Sequence, residues 1–110
     1  TLRNSSAASD VYKRQLIQFV PTYKRAWHAG ISEYKGRKNC NDFSIGIELE
    51  GCDEEEFEKS QYYSLSRLIN FLSIDLQINK QNIVSHADIA PGRKTDPGPY
   101  FDWSFLQSML

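Results

Sequence analysis

An α/β fold is predicted by three patterns in this chain: an alternating run, SIGIELEG, at residues 44–51; an apolar series at helical spacing from residue 60; and short β-rich runs at residues 16–21 and 82–85. Strand-like and helix-like segments interleaved along 110 residues point to one domain, or part of one, of mixed class. With 40% hydrophobic and 13% aromatic residues, the composition supports a single modest core and is not that of a disordered chain.

Residues 1–15, TLRNSSAASDVYKRQ, carry little apolar periodicity, and their small polar residues favour local backbone bonding. This stretch is expected to be a disordered or non-native lead, because SSAASDVYKRQ resembles translated adapter sequence found at the ends of assembled reading frames. From Leu16, LIQFVP is β-rich and stopped by Pro21, predicting a strand and then a turn. AWHAG at residues 26–30 leads into a polar stretch to Asp42 that reads as a loop. In SIGIELEG, Ile45, Ile47 and Leu49 share one face, and Gly46, Glu48 and Glu50 share the other. After an acidic run, Ser60 is the expected N-cap of a helix over about residues 60–76, with Tyr62, Leu65, Leu68, Ile69 and Leu72 on its apolar face. Residues 82–85 read as a short strand delivering His86 to a proline-rich loop. Asp102 then caps a final helix through Trp103, Phe105, Leu106 and Leu110, with Trp103 expected in the core.

Charge and cysteine content narrow the function classes. Thirteen basic and fourteen acidic residues leave a net charge of -1, so no global field draws the chain to nucleic acid or to an anionic membrane. No run has the length of a transmembrane helix. Two cysteines, Cys40 and Cys52, are too few for a disulfide scaffold and read as free thiols or as a single bridge.

The chemistry concentrates in SHADIAPGRKTDPGP at residues 85–99. His86 and Asp96 offer an imidazole nitrogen and a carboxylate, two of the three protein ligands a catalytic zinc takes. An isolated histidine is more often structural, and an aspartate before proline commonly caps a turn, so either residue alone also has an ordinary reading. Lys94 lies between them as a cation suited to an oxyanion, or as a solvated lysine. Prolines at 91, 97 and 99 restrict the loop and reduce the entropy lost on holding a ligand. Glu48 is the second candidate: a carboxylate beside Gly46, able to take a proton from an attacking water, or else simply solvated. Glu50 on the same face is weaker for that work. Trp27 and His28 suit the wall of a binding site for a sugar or peptide.

The segments VPTYKRAWHAG, CNDFSIGIELEG and SHADIAPGRKTDPGPYFDW, in that order over residues 16–110, resemble the AmpD family of 1,6-anhydro-N-acetylmuramyl-L-alanine amidases, within the wider zinc amidase and peptidoglycan-recognition fold. The resemblance implies a central mixed β-sheet flanked by helices, one zinc ion, and hydrolysis of the amide between N-acetylmuramic acid and L-alanine in cytoplasmic cell-wall recycling. It implies that His86 and Asp96 are zinc ligands, Glu48 the catalytic acid or base, Lys94 a support for the transition state, and His28 a neighbour outside the metal triad. The partner implied is a muropeptide or anhydro-muropeptide, acted on by a monomer without nucleic acid or membrane.

Two departures accompany the resemblance. The family's first zinc ligand is an early histidine, and nothing in residues 1–15 matches it, so residues 16–110 are expected to form a partial amidase domain lacking its N-terminal part and weak or inactive by itself. Asn39 stands where close relatives have arginine before the cysteine of CNDF. Two alternatives stand beside the recycling amidase. One is a muropeptide-binding module without catalysis, which the joint presence of Glu48, Lys94, His86 and Asp96 disfavours. The other is a secreted or phage-type wall amidase.

Overall fold

The structure, a computed structural model, describes residues 16–110; the lead expected at residues 1–15 lies outside the described residues. In chain order the elements are β1 (Glu33–Tyr34), β2 (Arg37–Lys38), a 3-10 turn (Cys40–Asp42), α1 (Lys59–Asp75), a second 3-10 turn (Lys80–Asn82), α2 (His86–Ile89) and α3 (Trp103–Gln107). The mixed α/β class is present, with its ladder hydrogen bonds among the described residues confined to the β1/β2 hairpin.

That hairpin falls where the sequence reads as a loop. Its two-residue turn places Lys35 at φ 49° and Gly36 at φ 82°, the paired positive values of a type I′ turn. Lysine in the first position hides a signal that asparagine or aspartate would have given. Glu33 faces Lys38 and Tyr34 faces Arg37 across the pair. The hairpin is closed beneath by Asn39 N–H donating to the Ser32 carbonyl at 3.2 Å and Cys40 N–H donating to Ser32 Oγ at 3.1 Å.

Three expected strands are corrected. Residues 16–20 form no strand, and Leu16 and Phe19 are each 54% exposed; only the turn at Pro21 appears, with Lys24 N–H bonded to the Pro21 carbonyl. Residues 44–49 enter no ladder with other described residues, yet their alternation survives: Ile47 and Leu49 pack against the core while Glu48 is exposed. Residues 83–85 likewise form no strand, and His86 instead opens α2. A strand is defined by a partner, and an alternating sequence specifies faces without specifying what pairs along the edge.

α1 forms much as its spacing predicts, with Tyr62, Leu65, Ile69 and Leu72 buried and Leu68 half-buried. Its N-cap is Glu58 rather than Ser60. The cause is Gln61, only 1% exposed, whose Oε1 accepts from Glu58 N–H at 2.8 Å and whose Nε2 donates to the Glu50 carbonyl at 2.7 Å. One buried amide thus starts the helix and fixes the end of the extended 44–50 segment beside it.

α3 has the predicted cap, Asp102 Oδ1 accepting from Phe105 N–H at 2.9 Å. It packs on α1 through a core of Tyr62, Leu65, Ile69, Phe101 and Leu106. Tyr62 and Phe101 rings lie 5.1 Å apart, and the Tyr62 hydroxyl accepts from Asp102 N–H at 2.8 Å, so the core also holds the cap of α3. Trp103, expected in the core, sits half-buried at its margin with its ring edge-on to Phe101. Cys40 is buried, Cys52 is exposed, and both are free thiols, which resolves the bridge alternative.

Leu106→Ala is expected to lower the unfolding free energy by about 2–5 kcal/mol, because it empties a site 1% exposed between α1 and α3. Phe71→Ala, at a position 63% exposed, is expected to change it by less than about 0.5 kcal/mol. Urea unfolding of the two variants measures the contrast, and equal losses would contradict this placement of the core.

Candidate active site

The loop after α2 is built from the helix outward. Ser85 caps α2: its Oγ accepts from Asp88 N–H at 2.9 Å, and Asp88 Oδ2 accepts from Ser85 N–H at 3.0 Å. This reciprocal S-x-x-D capping box, legible in SHAD but passed over for a strand, places His86 at the first helical position. At the other end of α2, Arg93 and Lys94 N–H both donate to the Ala90 carbonyl, at 3.1 and 3.0 Å, turning the chain back. Ala87 N–H then takes the Asp96 carbonyl at 3.1 Å, which returns Asp96 to the start of the same helix. Gly98, at φ +86°, lies flat on Asp53, where an added Cβ would come within 2.8 Å of the Asp53 Cα. Asp53 also accepts from the Thr95 hydroxyl between Lys94 and Asp96.

His86 and Asp96 meet: Nδ1 of the ring is 3.2 Å from Asp96 Oδ2. Nε2 is 2.9 Å from the Ala29 carbonyl, an acceptor only, so Nε2 carries the proton. In the neutral ring Nδ1 therefore presents a lone pair to a carboxylate. Two acceptors so arranged are satisfied by a shared cation or by a proton on Nδ1. The donor set, an imidazole nitrogen with a carbonyl behind its other N–H plus a carboxylate oxygen, fits the ligand chemistry of zinc. The set stops at two: among the described residues no group of three His, Cys, Asp or Glu is placed to hold a metal.

One large open space of about 1190 Å³ borders Glu48, His86, Lys94, Asp96 and His28 as well as core residues such as Leu65 and Leu106, and among these candidates His86 and Asp96 are in direct contact. Trp27 stands outside that lining, 62% exposed, with the Arg25 guanidinium 3.9 Å from its ring centroid. Lys94 and Asp96 are exposed, as is Glu50.

His28 is half-buried and rests on Gly46; a Cβ at 46 would lie 2.5 Å from His28 Nδ1. The space beside Glu48 that the glycine leaves is thus filled by this ring. Ser44 Oγ donates to the Cys40 carbonyl and sits 3.3 Å from His28 Nε2, so the His28 N–H points to Ser44. Asn41, which the sequence did not single out, accepts at Oδ1 from both His28 N–H at 2.9 Å and Ala29 N–H at 2.7 Å. Arg93 was also missed, and its fork bonds the Ala29 and Ile31 carbonyls. Neither could be found by motif spacing, because both act on backbone atoms distant in sequence.

The N-acetylmuramoyl-L-alanine amidase family matches residues 6–99. The chain is 53% identical over 96 residues to 1,6-anhydro-N-acetylmuramyl-L-alanine amidase AmpD of Enterobacter cloacae, covering 87% of this chain and 51% of that protein. It therefore spans about half the length of the curated AmpD relatives it matches. The crystal structure of a selenomethionine AmpD derivative superimposes with a TM-score of 0.89 at 45% identity, over 97% of this chain and 58% of that one. The N-acetylmuramyl-L-alanine amidase AmiD of E. coli, solved with anhydro-N-acetylmuramic acid-L-Ala-D-gamma-Glu-L-Lys, superimposes with a TM-score of 0.83 at 39% identity, over 94% of this chain and 44% of that one. With the fold and the sequence agreeing across nearly all of its length, the chain belongs to the N-acetylmuramoyl-L-alanine amidase family.

Proposed function

We propose that this protein is a zinc-dependent N-acetylmuramoyl-L-alanine amidase that hydrolyses the amide joining N-acetylmuramic acid, in its 1,6-anhydro form, to L-alanine, in cytoplasmic recycling of cell-wall fragments. The observation that carries the reading is the facing pair His86 Nδ1 and Asp96 Oδ2 in the cleft that Glu48 and Lys94 also line. The substrate class follows from the likeness to AmpD and from the muropeptide bound by AmiD.

His86 and Asp96 would hold the zinc, which when bound supplies Lewis acidity to polarise the scissile carbonyl. Glu48 is the general base: it takes a proton from the attacking water and passes it to the departing alanine nitrogen. Glu48 is exposed and borders the same open space as His86 and Lys94. Lys94 brings an ammonium to the carbonyl oxygen as negative charge develops there. Its backbone is tied to Ala90, so the charge is carried on a closed turn rather than on a wandering loop. His28 and Trp27 serve the substrate: His28 lines the cleft, and the exposed Trp27 ring provides an apolar face nearby in sequence for the sugar.

The 110 residues alone are expected to be weakly active or inactive, so turnover is measured in a form of the protein whose metal site has its third ligand; there Glu48→Gln is expected to lower kcat for release of stem peptide from anhydro-muropeptide by about 10²–10⁴-fold with substrate binding retained. Chromatographic turnover assays with calorimetric binding measure both quantities. A module that binds without catalysis would show no turnover before the substitution and the same affinity after it.

Lys94→Ala is expected to reduce kcat by about 10²–10³-fold while zinc content stays the same, since the ammonium acts on the reacting oxygen. Metal analysis beside the rate assay separates this from ligand loss. Chelation of zinc is expected to abolish turnover and its return to restore it; turnover that persists in rigorously metal-free protein would refute the zinc assignment.

A further inference from the structure

Arg93 makes none of the contacts expected of a surface arginine beside a catalytic loop. Its Nη2 donates to the Ala29 carbonyl at 2.6 Å and to the Ile31 carbonyl at 2.8 Å, and its Nε donates to the Ile31 carbonyl at 3.2 Å. Among the described residues it forms no ion pair. The backbone it crosses is shaped to receive it: Gly30 sits at φ +66°, and a Cβ there would lie 2.8 Å from Nη2. The guanidinium therefore spans two carbonyls on either side of a glycine, which its planar fork can do and a single ammonium cannot.

The Ala29 carbonyl is the oxygen that His86 Nε2 also uses, at 2.9 Å. His86 and Arg93 thus converge on one buried acceptor, Ala29 being 1% exposed. Whatever orients that oxygen orients the imidazole, because the partner of one ring nitrogen sets the tautomer and the direction of the other. Freed from Arg93, the 29–31 backbone loses three side-chain bonds and the carbonyl can turn away from His86. The ring then has no acceptor to hold Nδ1 toward Asp96.

We infer that Arg93 is a positioning residue, which through the Ala29 carbonyl fixes the His86 ring with its Nε2 protonated and Nδ1 facing Asp96. Its effect on zinc rests on the zinc reading above; its effect on the ring does not. Arg93 also stands next to Lys94, and both share the Ala90 turn, so the same clamp holds the base of the turn that carries the ammonium.

The test uses the full chain with Arg93→Ala, Arg93→Gln and Arg93→Lys, and Arg67→Ala on the exposed side of α1 as a charge control. Long-range proton–nitrogen NMR of the metal-free protein reads the tautomers of His86 and His28, and competition with a chromophoric chelator reads zinc affinity. Arg93→Ala and Arg93→Gln are expected to lose the Nε2-protonated signature of His86 while His28 is unchanged, and to weaken zinc binding by about 10–100-fold. Arg93→Lys is expected to fall between these and the parent, and Arg67→Ala to match the parent. A folded Arg93→Ala or Arg93→Gln with the parental His86 signature overturns the proposal. So does an Arg93→Lys variant indistinguishable from the parent, or a failure of all three variants to fold, which would assign Arg93 to stability alone. A parent that binds no zinc even with free imidazole supplied as a third ligand, but whose His86 signature depends on Arg93, refutes the zinc reading and leaves the positioning role standing.

Discussion

Both polar groups of the Ala29 backbone are held by side chains remote in sequence. The N–H is taken by Asn41 Oδ1, and the carbonyl is shared by His86 and Arg93. At 1% exposure neither group has ready access to water, and a buried polar group left unmatched costs about 1–3 kcal/mol. The AWHAG segment can therefore take its observed path only when the 3-10 turn at Cys40–Asp42 and the loop after α2 are both in place. Asn41 serves His28 N–H as well, so one amide ties down the backbone N–H groups of the residue that lines the cleft and of the residue whose carbonyl meets His86. Loop connections are usually the loose part of a domain; here side chains bonding backbone fix the path of one.

The 44–50 segment is fixed in a comparable way: Ile47 and Leu49 anchor one face in the core and Gln61 holds the Glu50 carbonyl. On the opposite face His28 lies against Gly46, and only the absence of a side chain there permits it. Glu48 follows on that face with its position set from both directions along the chain: by the His28–Gly46 contact before it and by the Gln61 bond after it.

How much of this was legible in the sequence depends on which property each residue type encodes. The apolar spacing of α1 and the Asp102 cap of α3 were readable because helix faces and caps are local. The pairing of His86 with Asp96 was readable as chemistry, since few residue types serve that purpose, and the loop geometry that joins them follows from the capping box in SHAD and the turn at Ala90. Strand pairing was not readable, because alternation reports a face and pairing is a property of the neighbours. The hairpin was missed for the converse reason: its strands are two residues each, too short to alternate, and its turn begins with lysine. Arg93 was invisible for a third reason. An arginine that binds carbonyls leaves no complementary acidic residue in the sequence to pair with it.

Burial divides the site into two sets of residues with different physical duties. Glu48, Lys94 and Asp96 are exposed, whereas Ala29, Asn41, Gln61 and Ser85, which fix the backbone around them, are buried. In the proposed reaction a group that exchanges protons or meets substrate needs access from the cleft, which exposure provides. Groups that only hold geometry gain from being sealed, because water no longer competes for their partners. His86 belongs to both sets: it is half-buried, with one nitrogen committed to the Ala29 carbonyl and the other turned to Asp96. That divided position suits a ligand whose direction must be fixed while its lone pair stays available, and it makes the carbonyl behind the ring as consequential for the site as the carboxylate in front of it.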